Sequence, residues 1–378
     1  MSIVAASGAL AIALLVLGAA VLALGLAVVV GRLVRSGRRR RRDRLVAAIK
    51  PELIRLADCA DVSAMRRLVR LDARHWAAVA PVAAGLLGTL SGEPRTSLVE
   101  LFERRGIAER ALRDLTARSA VRRARAAETL GDLKHRSAVG PLCLLLHDHD
   151  EAVRLVAARS LGRIGDASAA RPLLDLLGSG RGAPEHIVAQ ALLRLGPDAV
   201  PALVGGAAAQ DARVRGIALE ALGRLGGYEA IGIIIAALDG DESLAVRIHA
   251  AQALGRLGLP SAARPLIEAT GSEEPTLRLA AVRALCALGD PSAERALRQL
   301  LSDPVPQVAS EAAHSLLSLG RLGRAVLERE AAAAGPAAPG RSAVPFEPSE
   351  SAVAAVARQA LAVDAVRPRL RRANGRRG

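Results

Sequence analysis

The chain has 378 residues; 51% are hydrophobic, yet only four are aromatic (Trp76, Phe102, Tyr228 and Phe346). A core built from Ala, Leu, Val and Ile favours closely packed helices, because alanine is the best helix former and lets helix axes approach. It also excludes sites that need stacking platforms, such as a single-strand nucleic-acid groove. Three scattered cysteines, Cys59, Cys143 and Cys286, exclude a disulfide framework and a zinc ribbon.

The net charge is +15, concentrated at two ends. Nine bases against the single acid Asp43 lie between residues 31 and 50, and six arginines with no acid lie in the last twelve residues. The long middle is nearly neutral, which argues against nucleic acid as the partner of the folded part.

The first element in chain order is Ile3 to Gly31, a run without a charged residue. About 20 apolar residues span a hydrocarbon core. Nothing basic precedes the run and an arginine cluster follows it, the reverse of a cleaved signal peptide. The pattern predicts a single transmembrane helix in residues 1–34, with a basic flank to 44. By the positive-inside rule the N-terminus lies outside a plasma (inner) membrane and the rest of the chain lies in the cytoplasm. Arg38, Arg39, Arg40, Arg41 and Arg42 add attraction to anionic lipid headgroups, about 1 kcal/mol per base. Residues 45–119 read as a helical juxtamembrane and capping region, with helices expected near 43–50, 52–57, 62–71 and 74–90. The apolar stretch Trp76 to Leu90 is too short to span and is expected to be a buried helix.

From residue 120 the chain repeats. Marker leucines stand at Leu130, Leu161, Leu192, Leu222, Leu254, Leu285 and Leu316, spaced 31, 31, 30, 32, 31 and 31 residues apart. Each belongs to a helix whose core stripe lies at −8, −4, 0 and +3 from the marker, as in Val153, Ala157, Leu161 and Ile164. The −4 position is small in nearly every unit. Gly165, Gly196, Gly226, Gly258, Gly289 and Gly320 stand where a left-handed C-cap is needed. A first helix then opens the next unit, often with proline near its start (Pro141, Pro172, Pro201, Pro265).

This pattern, and the stretch DEAVRLVAARSLGRIGD from Asp150 to Asp166 in particular, resembles HEAT repeats of the short type first associated with phycobilisome lyases. The resemblance covers residues 120–322. It implies an all-α, HEAT-like α-solenoid of about seven helix pairs, preceded here by the single transmembrane helix. It does not fix a function, since such arrays serve lyases, hydroxylases and adaptors. Residues 323–378 read as an Ala/Pro-rich linker, one Ala-rich helix over 349–366 and a basic, disordered tail.

Chemistry is sparse. HDHD (His147 to Asp150) offers metal-ligand types, but it sits in a turn where acids cap the following helix, and capping is the expected role. HEAT-type hydroxylases bind iron through repeated His-Glu pairs; here Glu185-His186 is single and reversed. Cys143 and Cys286 lie among apolar neighbours and are expected to be inert core residues. No catalytic, metal or cofactor site is expected, and no cofactor.

One recurrent feature suggests a surface. Polar residues at −2 and +2 of the markers share a helix face: Arg159 and Arg163, Gln190 and Arg194, Glu220 and Arg224, Gln252 and Arg256. They form either a solvated face with arginines tying units together or a docking ridge for a protein partner of unknown identity. The expected function is a membrane-anchored cytoplasmic scaffold and not an enzyme; the alternative is a lyase- or chaperone-like HEAT protein acting on a chromophore-protein or other modified partner.

Overall fold

The structure is a computed structural model that describes residues 32, 43–58, 61–180, 184–333 and 350–374. The expected transmembrane segment, the Arg38 to Arg42 cluster and Cys59 lie outside these residues. Among the described residues no single helix is long and apolar enough to cross a membrane, and every regular element is helical. The chain divides into two compact units, Met1–Arg113 and Asp114–Gly378.

The first unit holds α1 (43–58), α2 (Val62–Val69), α3 (Ala73–Leu87) and α4 (Glu93–Arg104). α1 runs straight through Pro51, where the sequence predicts a break. Pro51 is exposed and so is Ala47 one turn earlier, so the turn that loses its hydrogen bond lies on an exposed side of the helix. α3 is not wholly buried; only the stripe Ala78, Val79, Ala83 and Leu87 is. Two of the four aromatics meet here: the Trp76 and Phe102 rings pack edge-to-face with centroids 5.3 Å apart. Arg105 lies over Trp76 at 4.3 Å and donates to the carbonyls of Leu68, Val69 and Leu71, closing the C-terminal end of α2.

α5 (Ile107–Asp114) leads to the repeats. Seven marker helices follow: α6 (Ala120–Leu133), α8 (Glu151–Ile164), α10 (Glu185–Leu195), α12 (Ala212–Leu225), α14 (Leu244–Leu257), α16 (Pro275–Leu288) and α18 (Pro306–Ser318). First helices alternate with them: α7 (Val139–Leu145), α9 (Ala170–Gly178), α11 (Val200–Ala207), α13 (Ile231–Gly240), α15 (Ala263–Ala269) and α17 (Glu294–Gln299). All seven marker leucines are fully buried, as are the −4 residues from Ala157 to Ala312. Each first helix is entered through a 3-10 turn ending in a fully buried alanine (Ala138, Ala169, Ala199, Ala230, Ala262, Ala293).

Successive marker helices pack directly on one another, whereas successive first helices touch little. The reason is a notch one residue after the marker. A Cβ built on Gly131, Gly162, Gly223 or Gly255 would stand 2.6–2.8 Å from a backbone Cα of the next marker helix, at Ser160, Ala191, Ala253 or Ala284. The notch is missing between α16 and α18, where Cys286 takes the glycine's place, and between α10 and α12, where Leu193 does. At the latter step the marker helices meet more sparingly, and the close approach moves to the outer layer, with Gly206 against Leu174.

Gly165, Gly226, Gly258 and Gly289 are left-handed C-caps, with φ between 66° and 76° and the cap N–H donating to the marker leucine carbonyl. Gly196 has φ 84° but ψ −173°, so it turns the chain without capping in that way, and α18 ends on Leu319 ahead of Gly320. In the first unit of the array Lys134 holds the same left-handed conformation (φ 53°). Replacing Lys134 with Gly is expected to raise stability by about 1 kcal/mol, read as a higher denaturation midpoint at unchanged slope.

The array does not stop at α18. α19 (Arg321–Ala333) and α20 (Glu350–Asn374) pack on each other and on α18, so a further pair closes the C-terminal end. Among its described side chains α20 buries three alanines (Ala354, Ala357, Ala360), and it is tied down by an Arg324–Asp364 ion pair. It also runs on to Asn374, into the segment that the sequence reads as disordered.

Candidate partner-binding site

The −2 and +2 side chains emerge on the solvent side of the marker helices. Arg159, Gln190, Arg194, Arg224, Gln252 and Arg256 are exposed; Arg163 and Glu220 are half-buried. They do not behave alike. Arg163 donates to Asp132 of the preceding unit at 2.6 Å, a tie between repeats. Arg224 reaches Glu220 on its own helix at 3.3 Å. Arg159, Arg194 and Arg256 have no ion-pair or hydrogen-bond partner among the described residues. The ridge therefore joins one structural tie, one neutralised pair and three arginines with their charge available.

A second arginine set, seven residues before the marker, escaped the sequence analysis. Arg123 donates Nε–H and Nη2–H to the two carboxylate oxygens of Asp148, both at 2.7 Å. Arg215 does the same to Asp241 at 2.7 and 2.8 Å, and Arg278 to Asp303 at 2.7 and 2.9 Å. The Nη1 of each donates to two carbonyls of the turn before its own helix: Ala117 and Arg118, Ala209 and Gln210, Ser272 and Glu273. Each aspartate also accepts the N–H two residues on, from Asp150, Ser243 or Val305. One guanidinium thus staples two units and two turns. The signal in the sequence is an Arg seven residues before one marker followed by an Asp thirteen residues before the next, three times over.

This ladder assigns HDHD. Asp148 is a buried rung, and Asp150 caps α8 by accepting from the Val153 N–H at 3.2 Å. Burial alone would push the Asp148 carboxyl up; the Arg123 guanidinium and the Asp150 N–H hold it below the usual carboxylate range. The Arg215 guanidinium likewise holds Asp241 low. Cys143 and Cys286 are not core residues but half-buried thiols, since the faces that carry them open to solvent. Partial burial, with Asp166 nearby, pushes the Cys143 thiol up, which disfavours the reactive thiolate.

With the helix pairs, notches and ladder in view, the comparison with known proteins is direct. The HEAT repeat family matches residues 109–194, 200–275 and 263–334, more than half of the chain. The chain belongs to the HEAT repeat family. No curated protein matches its sequence. Among solved structures it is similar to an engineered protein, at 19% identity over 83% of this chain and 98% of that one, with a TM-score of 0.37. It is also similar to the complex of CpcE and CpcF of phycocyanin lyase from Nostoc sp. PCC7120, at 24% identity over 41% and 100% of the two chains, with a TM-score of 0.38. A third is the karyopherin Kap121p bound to the extreme C-terminus of the protein phosphatase Cdc14p, at 13% identity over 83% and 41%, with a TM-score of 0.47. At such identities the likeness is one of helical architecture and extends to no activity.

Proposed function

We propose that the chain is a membrane-anchored cytoplasmic scaffold, binding rather than catalytic, whose marker-helix ridge docks an acidic protein partner. The observation that carries this reading is the set Arg159, Arg194 and Arg256: exposed, without carboxylate partners among the described residues, and on the helix face that the −2 and +2 positions share, with Arg194 and Arg256 two repeats apart. Three unspent positive charges on one face steer and orient an acidic surface. The uncharged run from Ile3 to Gly31 and the arginines that follow it support anchoring, with the array on the side of the basic flank.

The test is charge reversal at two ridge positions, Arg194→Glu with Arg256→Glu, followed by crosslinking in native membranes. Since neither arginine has a side-chain partner among the described residues, stability should change by no more than about 0.5 kcal/mol each. Recovery of the crosslinked partner should fall, more at low salt than at high salt. Unchanged recovery with unchanged melting removes the docking role. A reporter fused after Gly378 tests the anchor separately, and activity outside the membrane would overturn the orientation.

A further inference from the structure

Three ladder arginines meet a carboxylate; Arg247 does not. The rung position thirteen residues before the marker, filled by Asp148, Asp241 and Asp303 in their units, is Ser272 in the unit after Arg247. Arg247 donates its Nε–H to the Leu238 carbonyl at 3.0 Å, and neither Nη nitrogen has a partner among the described residues. In front of it lies a solvent-open cavity of about 430 Å³, lined by Leu238, Asp239, Arg247, Glu268, Gly271 and Ser272. Ser272 Oγ accepts the Glu274 N–H at 3.2 Å, which leaves its own proton to donate.

We propose that this vacant rung is a receptor for a carboxylate brought by another protein: the side chain of an Asp or Glu on a segment lying along the edge of the array where α13 and α15 end. The filled rungs of the same molecule show the chemistry. A guanidinium fork receives both carboxylate oxygens, the strongest of the ordinary side-chain pairings. With Nε engaged by Leu238, Arg247 offers the end-on fork of Nη1 and Nη2, and the Ser272 hydroxyl supplies a third donor. The two acids on the rim do not close the site. Glu268 is taken by Arg264, which donates to it at 2.9 Å. Asp211 and Glu242 also lie near Arg215, and Asp241 still binds there. The cavity stands at helix ends, away from the exposed arginines of the ridge, so its fate and that of the ridge are separable.

The test uses the full chain in detergent and two probes, N-acetyl-aspartate N-methylamide and succinate, against sodium chloride of equal ionic strength. The blocked aspartate should raise the melting temperature in a saturable way that chloride does not reproduce. Arg247→Gln should fold and weaken that binding about tenfold or more, the loss of a charge-assisted bidentate contact. Ser272→Asp, which supplies the missing rung from within, should melt higher than the parent and lose its response to the probe. A response to succinate alone would assign the site to free small acids and overturn the protein-side-chain proposal. So would equal responses to probe and chloride, or an Arg247→Gln chain that binds the probe as tightly as the parent does.

Discussion

Arg278→Ala is expected to destabilise the array by about 3–5 kcal/mol, the usual cost of removing one partner from a buried ion pair. The side chains of Arg278 and Asp303 are only 11% and 2% exposed. Truncation leaves Asp303 charged and enclosed, and it strips a donor from the Ser272 and Glu273 carbonyls as well. Asp303→Ala should cost a comparable amount, and the double variant much less than the sum, because the second deletion removes the orphaned charge. Denaturant melts of the four chains measure this. Additive losses would mean that the pair does not act as a unit. The ladder also sets an acid limit. Asp148 and Asp241 titrate below their unfolded value of roughly 4. Their contribution is therefore complete above that pH and is lost as pH falls through the folded value. Arg215→Gln should flatten this acid dependence.

The second large effect is expected at the notch. In Gly223→Ala the new methyl would stand 2.6 Å from the Ala253 Cα and 2.8 Å from its Cβ, so two helices must part. A backbone neighbour cannot rotate away, and the loss should reach about 1–3 kcal/mol, even after the roughly 1 kcal/mol that Ala gains over Gly inside a helix. Gly205→Ala is the control. Its Cβ would meet nothing within 4 Å, so that variant should gain stability from helix propensity. A loss at both positions, measured by chemical denaturation, would show that propensity and packing are not separable in this way.

The repeat, the core stripe and the caps were legible because they depend on residue type at a fixed period. Leu at 0, a small residue at −4 and Gly at the end are one-helix rules, and Leu161, Ala157 and Gly165 follow them. The ladder was harder to see because its partners lie in different units: Arg215 and Asp241 become neighbours only after two helices fold back. The notch was hidden for the same reason, since Gly162 looks like a weak point in a helix until Ala191 is placed against it. Of the ridge, the phase was visible but the pairing was not. Arg163 and Arg194 occupy equivalent positions, and only the former finds an acid across the step, at Asp132. Pro51 shows the opposite failure, a local rule overridden where Pro51 and Ala47 both lie on the exposed side of α1.

The junction at Leu193 has a mechanical consequence. Elsewhere each step is held by a notch, a guanidinium staple or both, but between α10 and α12 the notch is filled, and Glu185 and Ala209 stand where the staple's Arg and Asp would be. A column with one step held only through its outer layer, by Gly206 against Leu174 and by Arg213 on the Leu177 carbonyl, is more compliant at that step than on either side. A load on the ridge will bend the array there first, with α6 to α10 moving as one lever and α12 to α18 as the other. Arg159 and Arg194 ride on the first lever, Arg224 and Arg256 on the second. The distance from Arg159 and Arg194 to Arg256 is thus the dimension that a bound surface can stretch or shorten at least cost.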